Sequence, residues 1–542
     1  MARGAAAKPA VNASMLRRMG APGWTVVRTS RALDANEAAT FMRELRADPA
    51  VESVEIDHLY QPLQTFNAPA AAPDDPYYEF QWNLHNQAGG VRAPQAWEYS
   101  TGEGVVVAIL DTGIIEGAHD LAANVIPGYD MLSDRLISRR DTDDRVPGGW
   151  DVGSWIEQDY CTQLGLNPHP ARASSWHGTH VAGTVAQETN NGVWVAGVAH
   201  GAKVMPVRVL GSCGGFGADI ADGMVWAAGG EVEGLPINEN PAEVLNMSLG
   251  SSGPAACPAY YQDAIDQVNA MGSIIVVASG NANANAGNYT MSSCNGVISV
   301  SATGIAGGKA GYSNWGAKVD ISAPGGGGAA DGNPNGYIWQ TLNRGTQRPT
   351  EEWTLLGMSG TSMASPHVAA AAAMVQSVID VPLDWQQMRD LLKQTARPFP
   401  VSIPGSTPMG AGILDLEALL VAATTPPCDP EVEECGPTAI TLVNKVPVSG
   451  LSGGVGSEVL YALEVPAGVT GLLNITTHGG SGDVSVYVSR DEEPQADGSD
   501  WSSTRPGNNE TVRINNPAAG MYYIKLVGVG AYSNVTVQAR HN

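Results

Sequence analysis

Val105-Val106-Val107-Ala108-Ile109-Leu110-Asp111-Thr112-Gly113 is an unbroken apolar run closed by a carboxylate and a glycine turn. Six apolar residues without polar alternation predict a strand buried on both faces, as in a parallel sheet covered by helices. Open sheets of that kind carry their sites at the carboxyl ends of strands, which is where Asp111 stands. Further apolar runs at 204–210, 243–249, 273–279 and 297–303 alternate with helical stretches. The expected fold class is therefore α/β, with a mostly parallel, doubly wound sheet.

Two other segments supply the chemistry that a lone carboxylate lacks. His177-Gly178-Thr179-His180-Val181-Ala182-Gly183-Thr184 opens a small-residue helix with a histidine at its start. Gly360-Thr361-Ser362-Met363-Ala364-Ser365-Pro366-His367 precedes an Ala-rich stretch, 368–378, that reads as a buried helix. A serine at a helix mouth meets unpaired N–H groups and the positive end of the dipole, an environment that suits a developing oxyanion. The same position suits an ordinary Ser/Thr cap, so these eight residues alone leave the choice open. A hydroxyl is a weak nucleophile without a base, and the base needs a carboxylate to fix its tautomer. Asp111, His177 and Ser362 are those three groups. A fourth segment, Ile274 to Asn281, is a buried strand ending in a side-chain amide.

With these motifs in the order Asp, His, Ser, the chain resembles the subtilisin-like serine peptidases, the subtilases. The resemblance implies that Asp111 orients, His177 is general base and acid, Ser362 is the nucleophile and Asn281 is an oxyanion donor. His180 is expected to be a packed core histidine. Ser248-Leu249-Gly250 and Ala278-Ser279-Gly280 match the two walls of the family's primary specificity pocket, with a floor near 289–294. Uncharged walls imply a preference for large apolar or aromatic residues before the cut bond. The family also implies structural calcium, which takes oxygen ligands on loops. Asp120, with Asn191 in the 189–195 loop, matches one such site. Asp141 and Asp143, following Asp130, form a second candidate that reads equally well as a solvated acidic loop. H-E-x-x-H is absent, which excludes a zincin. The rival from another class is a binding protein that only displays the peptidase fold.

The 542 residues are too many for one core. Residues 1–74 resemble a propeptide remnant and processing linker. Within them 24–29 and 51–56 read as strands and 35–47 as an amphipathic helix, the later βαβ part of a ferredoxin-like α+β prodomain. Propeptide cleavage is expected between Phe66 and Asp74. Residues 75–422 are the catalytic domain, 423–437 a linker, and 438–542 a small β-sandwich. That last region alternates at 459–463, 483–488 and 522–527 between glycine-rich turns, and resembles a bacterial pre-peptidase C-terminal domain.

A net charge of −25 argues against nucleic-acid and anionic-membrane partners, both of which favour basic patches. Proteins or peptides are the expected substrates, the propeptide the intramolecular inhibitor, and a monomer the expected state. The six cysteines show no C-x-x-C spacing and read as disulfides formed in an oxidising compartment. Cys428 and Cys435 sit in one short segment and are expected to pair locally. The loops that carry the others converge beside the cleft, favouring Cys161–Cys213 and Cys257–Cys294, with the swapped pairing left open. No 18-residue apolar stretch predicts a membrane span. Residues 1–20 lack the apolar core of a signal peptide, so a secreted protein whose signal is missing from this chain is expected.

Overall fold

Alternation within each buried strand decides how the sheet is covered. In the run beginning at Val105, Val107 and Ile109 pack on one face of the sheet and Ala108 and Leu110 on the other. Both sets are fully buried, as a parallel strand between two helical layers requires. The computed structural model describes residues 11–18, 25–31, 33, 35–48, 50–51, 54, 72–327, 335–425, 439–466, 468–495 and 498–541. The chain divides into two units, Met1–Ala68 and Pro69–Asn542.

In the second unit the sheet strands are β1 (Val106–Asp111), β2 (Gly128–Asp130), β3 (Val146–Gly148), β4 (Lys203–Arg208), β5 (Val244–Met247), β6 (Ile274–Ala278), β7 (Ile298–Thr303) and β8 (Ile321–Pro324). Their spatial order is β8-β7-β6-β5-β1-β4-β2-β3. Every neighbouring pair is parallel except β2 with the edge strand β3. Chain order reverses at β1, which pairs with β4 on one side and β5 on the other. Its carboxyl end is thus a topological switch point, and Asp111 occupies it.

Helices α1 (His177–Ala186) and α4 (Thr361–Gln376) cover one face, while α2 (Gly217–Ala227) and α3 (Ala259–Ala270) cover the other. The helix expected from residue 368 starts seven residues earlier, which puts Ser362 inside its first turn. Ala369 to Ala373 have no exposed surface, so small side chains let α4 lie close against the sheet. A hairpin of Ile338–Asn343 and Trp353–Met358 packs on the α1 side. The last helix of this region, Leu416–Thr424, is capped by Asp415 and runs two residues past the expected boundary at 422.

The first unit pairs Ala13–Arg18 antiparallel with Thr25–Thr29, followed by the helix Ala35–Arg46. The strand at 13–18 was not expected. The expected strand at 51–56, the cleavage region and the Cys428–Cys435 pair fall largely or wholly outside the described residues. The C-terminal sandwich stacks a five-stranded sheet on a four-stranded one. Its strands Glu458–Val465, Val484–Arg490 and Gly520–Gly528 fall where alternation placed them.

Replacing Ala371 by Leu adds three carbons where the packing leaves no room. Overpacking of this kind costs about 1–3 kcal/mol. Thermal melting of the Ala371→Leu variant should show a clear fall in Tm with the fold retained.

Candidate active site

Asp111 has no exposed surface, so its charge depends on the hydrogen bonds it receives. The Thr112 N–H donates to Oδ1 at 2.7 Å, and the His177 Nδ1–H lies 2.8 Å from Oδ1 and 2.9 Å from Oδ2. Both donors follow from the fold, one from the turn after β1 and the other from the start of α1. Burial opposes a charged His177, but the Asp111 carboxylate outweighs it and the pKa ends above the ordinary imidazole value. His180, three residues on, is fully buried and donates its Nε2–H to Ile338 O; burial drives its pKa down to about 3, so it stays neutral.

Ser362 sits in the first turn of α4, where its N–H has no intrahelical partner. Pro366 lies one turn further on and has no N–H to give to the Ser362 carbonyl. The Ser248 hydroxyl takes that acceptor instead, at 2.7 Å. In return the Ser362 hydroxyl donates to the Ser248 carbonyl at 3.2 Å. Asn246 and Ser365 complete the array: Asn246 Nδ2 donates to Ser248 Oγ at 3.0 Å, and Ser365 Oγ donates to Asn246 Oδ1 at 2.7 Å.

Asn281 is fixed through its oxygen. Both the N–H and the hydroxyl of Thr361 donate to Asn281 Oδ1 at 2.9 Å, and the Thr361 hydroxyl accepts the Gly280 N–H at 3.1 Å. Nδ2 has no acceptor among the described residues and lines the same cleft as Ser362. Asn314, which sequence reasoning missed, holds the loop from behind. Its Oδ1 accepts the N–H groups of Ala282 and Ala284, and its Nδ2 donates to Ser279 O. Gly280 has φ +104°, and a Cβ there would stand 2.4 Å from Asn314 Nδ2, so the position demands glycine twice over. The cleft, about 300 Å³, runs between Ser248-Leu249-Gly250 and Ala278-Ser279-Gly280, with Tyr289 and Thr290 at its end. Among the described residues, no charged side chain lines it.

Residues 102–425 match the family model described as the subtilase family, and 458–528 match that of the bacterial pre-peptidase C-terminal domain. An extracellular protease of Xanthomonas campestris pv. campestris is 43% identical over 99% of this chain and 87% of its own length. The chain belongs to the subtilase family. An extracellular basic protease of Dichelobacter nodosus is 43% identical over 71% of this chain and 60% of that protein. Among solved structures, a protease from Pseudoalteromonas arctica superposes with a TM-score of 0.61 at 44% identity, covering 65% of this chain and all of that one.

Around this subtilase site two disulfides, Cys161–Cys213 and Cys257–Cys294, take the favoured pairing rather than the swapped one. Of the two metal candidates, the residues of the first lie together. Asp120 is buried and receives Asn191 Nδ2 at 2.7 Å and Gln187 Nε2 at 3.0 Å. Burial, with a contribution from the nearby Asp75 carboxylate, pushes Asp120 up to about 6. Asp75 is itself raised by burial, receives the Asn190 N–H, and has a buried Oδ1 with no partner. Two buried carboxylates served only by neutral donors fit a hard cation, and Asp75 is the member that sequence reasoning missed.

The second candidate is a correction. Asp130 turns inward onto Arg208 at 2.7 Å and onto Arg140, while Asp143 accepts the Arg135 N–H. Asp141 stands exposed beside them. Asp130, paired with two guanidinium groups, is not free to share a cation with Asp141 and Asp143.

Proposed function

We propose that this subtilase is a secreted serine endopeptidase that hydrolyses peptide bonds of proteins through an acyl-enzyme. The observation that carries the reading is the hydrogen-bonded pair of buried Asp111 and part-buried His177, together with a serine held in the first turn of α4. For reaction, the Ser362 hydroxyl leaves the Ser248 carbonyl and gives its proton to His177 Nε2 as Oγ attacks the scissile carbonyl. Asp111 holds Nδ1–H and stabilises the imidazolium that forms. The Asn281 amide and the Ser362 N–H receive the oxyanion; both are in place beforehand, so little reorganisation is needed. His177 then protonates the leaving amine, and water resolves the ester. Secretion is supported by the names of the relatives and by the disulfides. We read residues 1–74 as the remnant of a propeptide that inhibits the zymogen and is removed by self-cleavage, 75–422 with the helical extension above as the catalytic domain, and 438–542 as an accessory domain on a linker. A monomer is the simplest functional unit, since all four groups come from one chain.

A serine-directed fluorophosphonate should label the processed protein and not Ser362→Ala. The same variant should keep its pro-segment, read by mass spectrometry. Labelling of Ser362→Ala would remove Ser362 from the role, and absence of labelling in the processed parent protein would favour the non-catalytic binding reading.

The uncharged pocket offers nothing to a basic or acidic side chain, and its depth suits a large apolar one. Digestion of a peptide library should give cuts chiefly after Phe, Tyr, Leu and Met. Comparable cleavage after Lys or Arg would contradict this assignment.

Calcium is the cation we assign to Asp120, Asp75, Asn191 and the 189–195 loop. When bound it supplies charge compensation to two buried carboxylates and ties the loop after α1 to the segment entering the domain. Excess chelator should lower Tm of the parent protein, and Asp120→Asn should abolish most of that difference. An identical melting curve with and without chelator would exclude the site.

A further inference from the structure

We propose that Asp151, which lies outside the Asp111–His177–Ser362 set, is a positioning residue that orients His177 through Thr112. The proposal rests on the catalytic reading of those three residues. Asp151 follows β3 and is 1% exposed. Its backbone N–H donates to Ile114 O at 2.8 Å, which fixes its chain beside the turn that ends β1. Its Oδ1 accepts the Gly153 N–H at 2.9 Å, and its Oδ2 accepts the Thr112 hydroxyl at 2.8 Å.

That hydroxyl is the joint of the site. A carboxylate only accepts, so an ionised Asp151 obliges Thr112 to donate to it. The lone pairs of Thr112 Oγ1 then face the Gly178 N–H, 3.0 Å away in the first turn of α1. Thr112 at the same time gives its own N–H to Asp111 Oδ1. One side chain therefore links the residue after Asp111 to the residue after His177, and Asp151 sets its direction. The two segments are already in close backbone contact: a Cβ at Gly178 would fall 2.3 Å from Gly113 O.

The charge around this joint is accounted for from every side. Arg208 is buried in register with Asp111, reaches Thr112 O at 3.2 Å and serves Asp130, which Arg140 shares. His180 and His367, which have no exposed surface, are held neutral by burial, with pKa values of about 3 and about 4. Burial raises Asp151 to about 6, helped by Asp111 and opposed by Arg208. After burial and Asp111, Asp151 is the remaining influence on His177, and it favours the imidazolium. Its charge and its hydrogen bond act together on one ring.

The test is Asp151→Asn in the full chain, with Ser362→Ala as the inactive reference. The amide offers Thr112 a donor as well as an acceptor, so the hydroxyl is free to turn from Gly178. The expected result is a kcat lowered by up to about 10²-fold, the effect of a misplacement near 1 Å, with KM unchanged. The acid limb of kcat/KM should move to lower pH, because the carboxylate that favoured the imidazolium is gone. Thr112→Val should reproduce the kcat loss and Thr112→Ser should restore it, while the Asp151→Asn, Thr112→Val double variant should be little worse than either single one. A folded Asp151→Asn protein with parental kcat and an unmoved acid limb overturns the proposal, even if its Tm falls. Should that variant not fold, Thr112→Val with parental kcat overturns it equally. Activity in Ser362→Ala would instead sink the catalytic reading on which the proposal rests.

Discussion

A carboxylate with no access to water stands at the middle of the sheet, and the site is arranged to keep it charged. An unpaired buried charge costs several kcal/mol even after relaxation, so Asp111 persists as an anion only where donors are already placed. The parallel sheet supplies that condition. Because β1 has neighbours on both sides, its carboxyl end opens into a crevice where the next turn and the start of α1 converge. The turn contributes the Thr112 N–H and the helix contributes His177. A strand at the sheet edge would leave the same residue solvated, and its hold on the imidazole would weaken with the rise in local dielectric.

The second constraint is a hydrogen bond that cannot form. Proline inside a helix normally kinks or breaks it, because its ring crowds the carbonyl one turn back and no N–H replaces the lost bond. In α4 that carbonyl belongs to Ser362, and Ser248 fills the vacancy. The replacement binds the first turn of α4 to the Ser248-Leu249-Gly250 wall of the cleft, so that wall and the placement of Ser362 share one set of contacts. Asn246 and Ser365 satisfy what remains. An isolated pocket wall would leave binding and attack to be aligned separately.

Much of this was legible before the structure, and the residues show why. β1, β4, β5, β6 and β7 lie within two residues of their apolar runs, since strands buried on both faces are mostly apolar, and the few polar residues they carry are small or paired. The short strands β2, β3 and β8 were invisible. Gly128–Asp130 and Val146–Gly148 are three residues each, too brief for any periodicity, and exist because their neighbours supply partners. Asp111, His177, Ser362 and Asn281 stood at element ends, where function concentrates. The supports Thr361, Asn314, Asn246 and Asp75 had no such mark: each acts through contacts made across 80 or more residues, or across a gap of loops that sequence does not measure. The Asp141–Asp143 candidate failed for the same reason, because the cationic partners of Asp130 come from a different strand and loop.

The long connection from β3 to α1 shows how a loop can be held as firmly as a strand. It carries Asp151 at one end and delivers His177 at the other, with twenty-five residues between them whose only helical piece is the short turn Tyr160–Leu164. Left free, such a segment would blur both positions. Cys161 is bridged to Cys213, 52 residues away, a closure worth about 4 kcal/mol in the chain-entropy model. Beside the bridge, the Arg139 guanidinium stacks on Tyr160 at 3.7 Å and on Trp155 at 4.5 Å, and donates to Trp155 O and Ser212 Oγ. The far side is tied to the turn of the 338–358 hairpin through Ser174 N–H to Thr346 O and Trp176 Nε1 to Gly345 O. The loop is thus pinned to the segment after β4 on one side and to the hairpin on the other, and the residue that emerges from it enters α1 in a fixed direction. Precision at His177 is a property of this whole enclosure, with the Asp111 hydrogen bond as its last link.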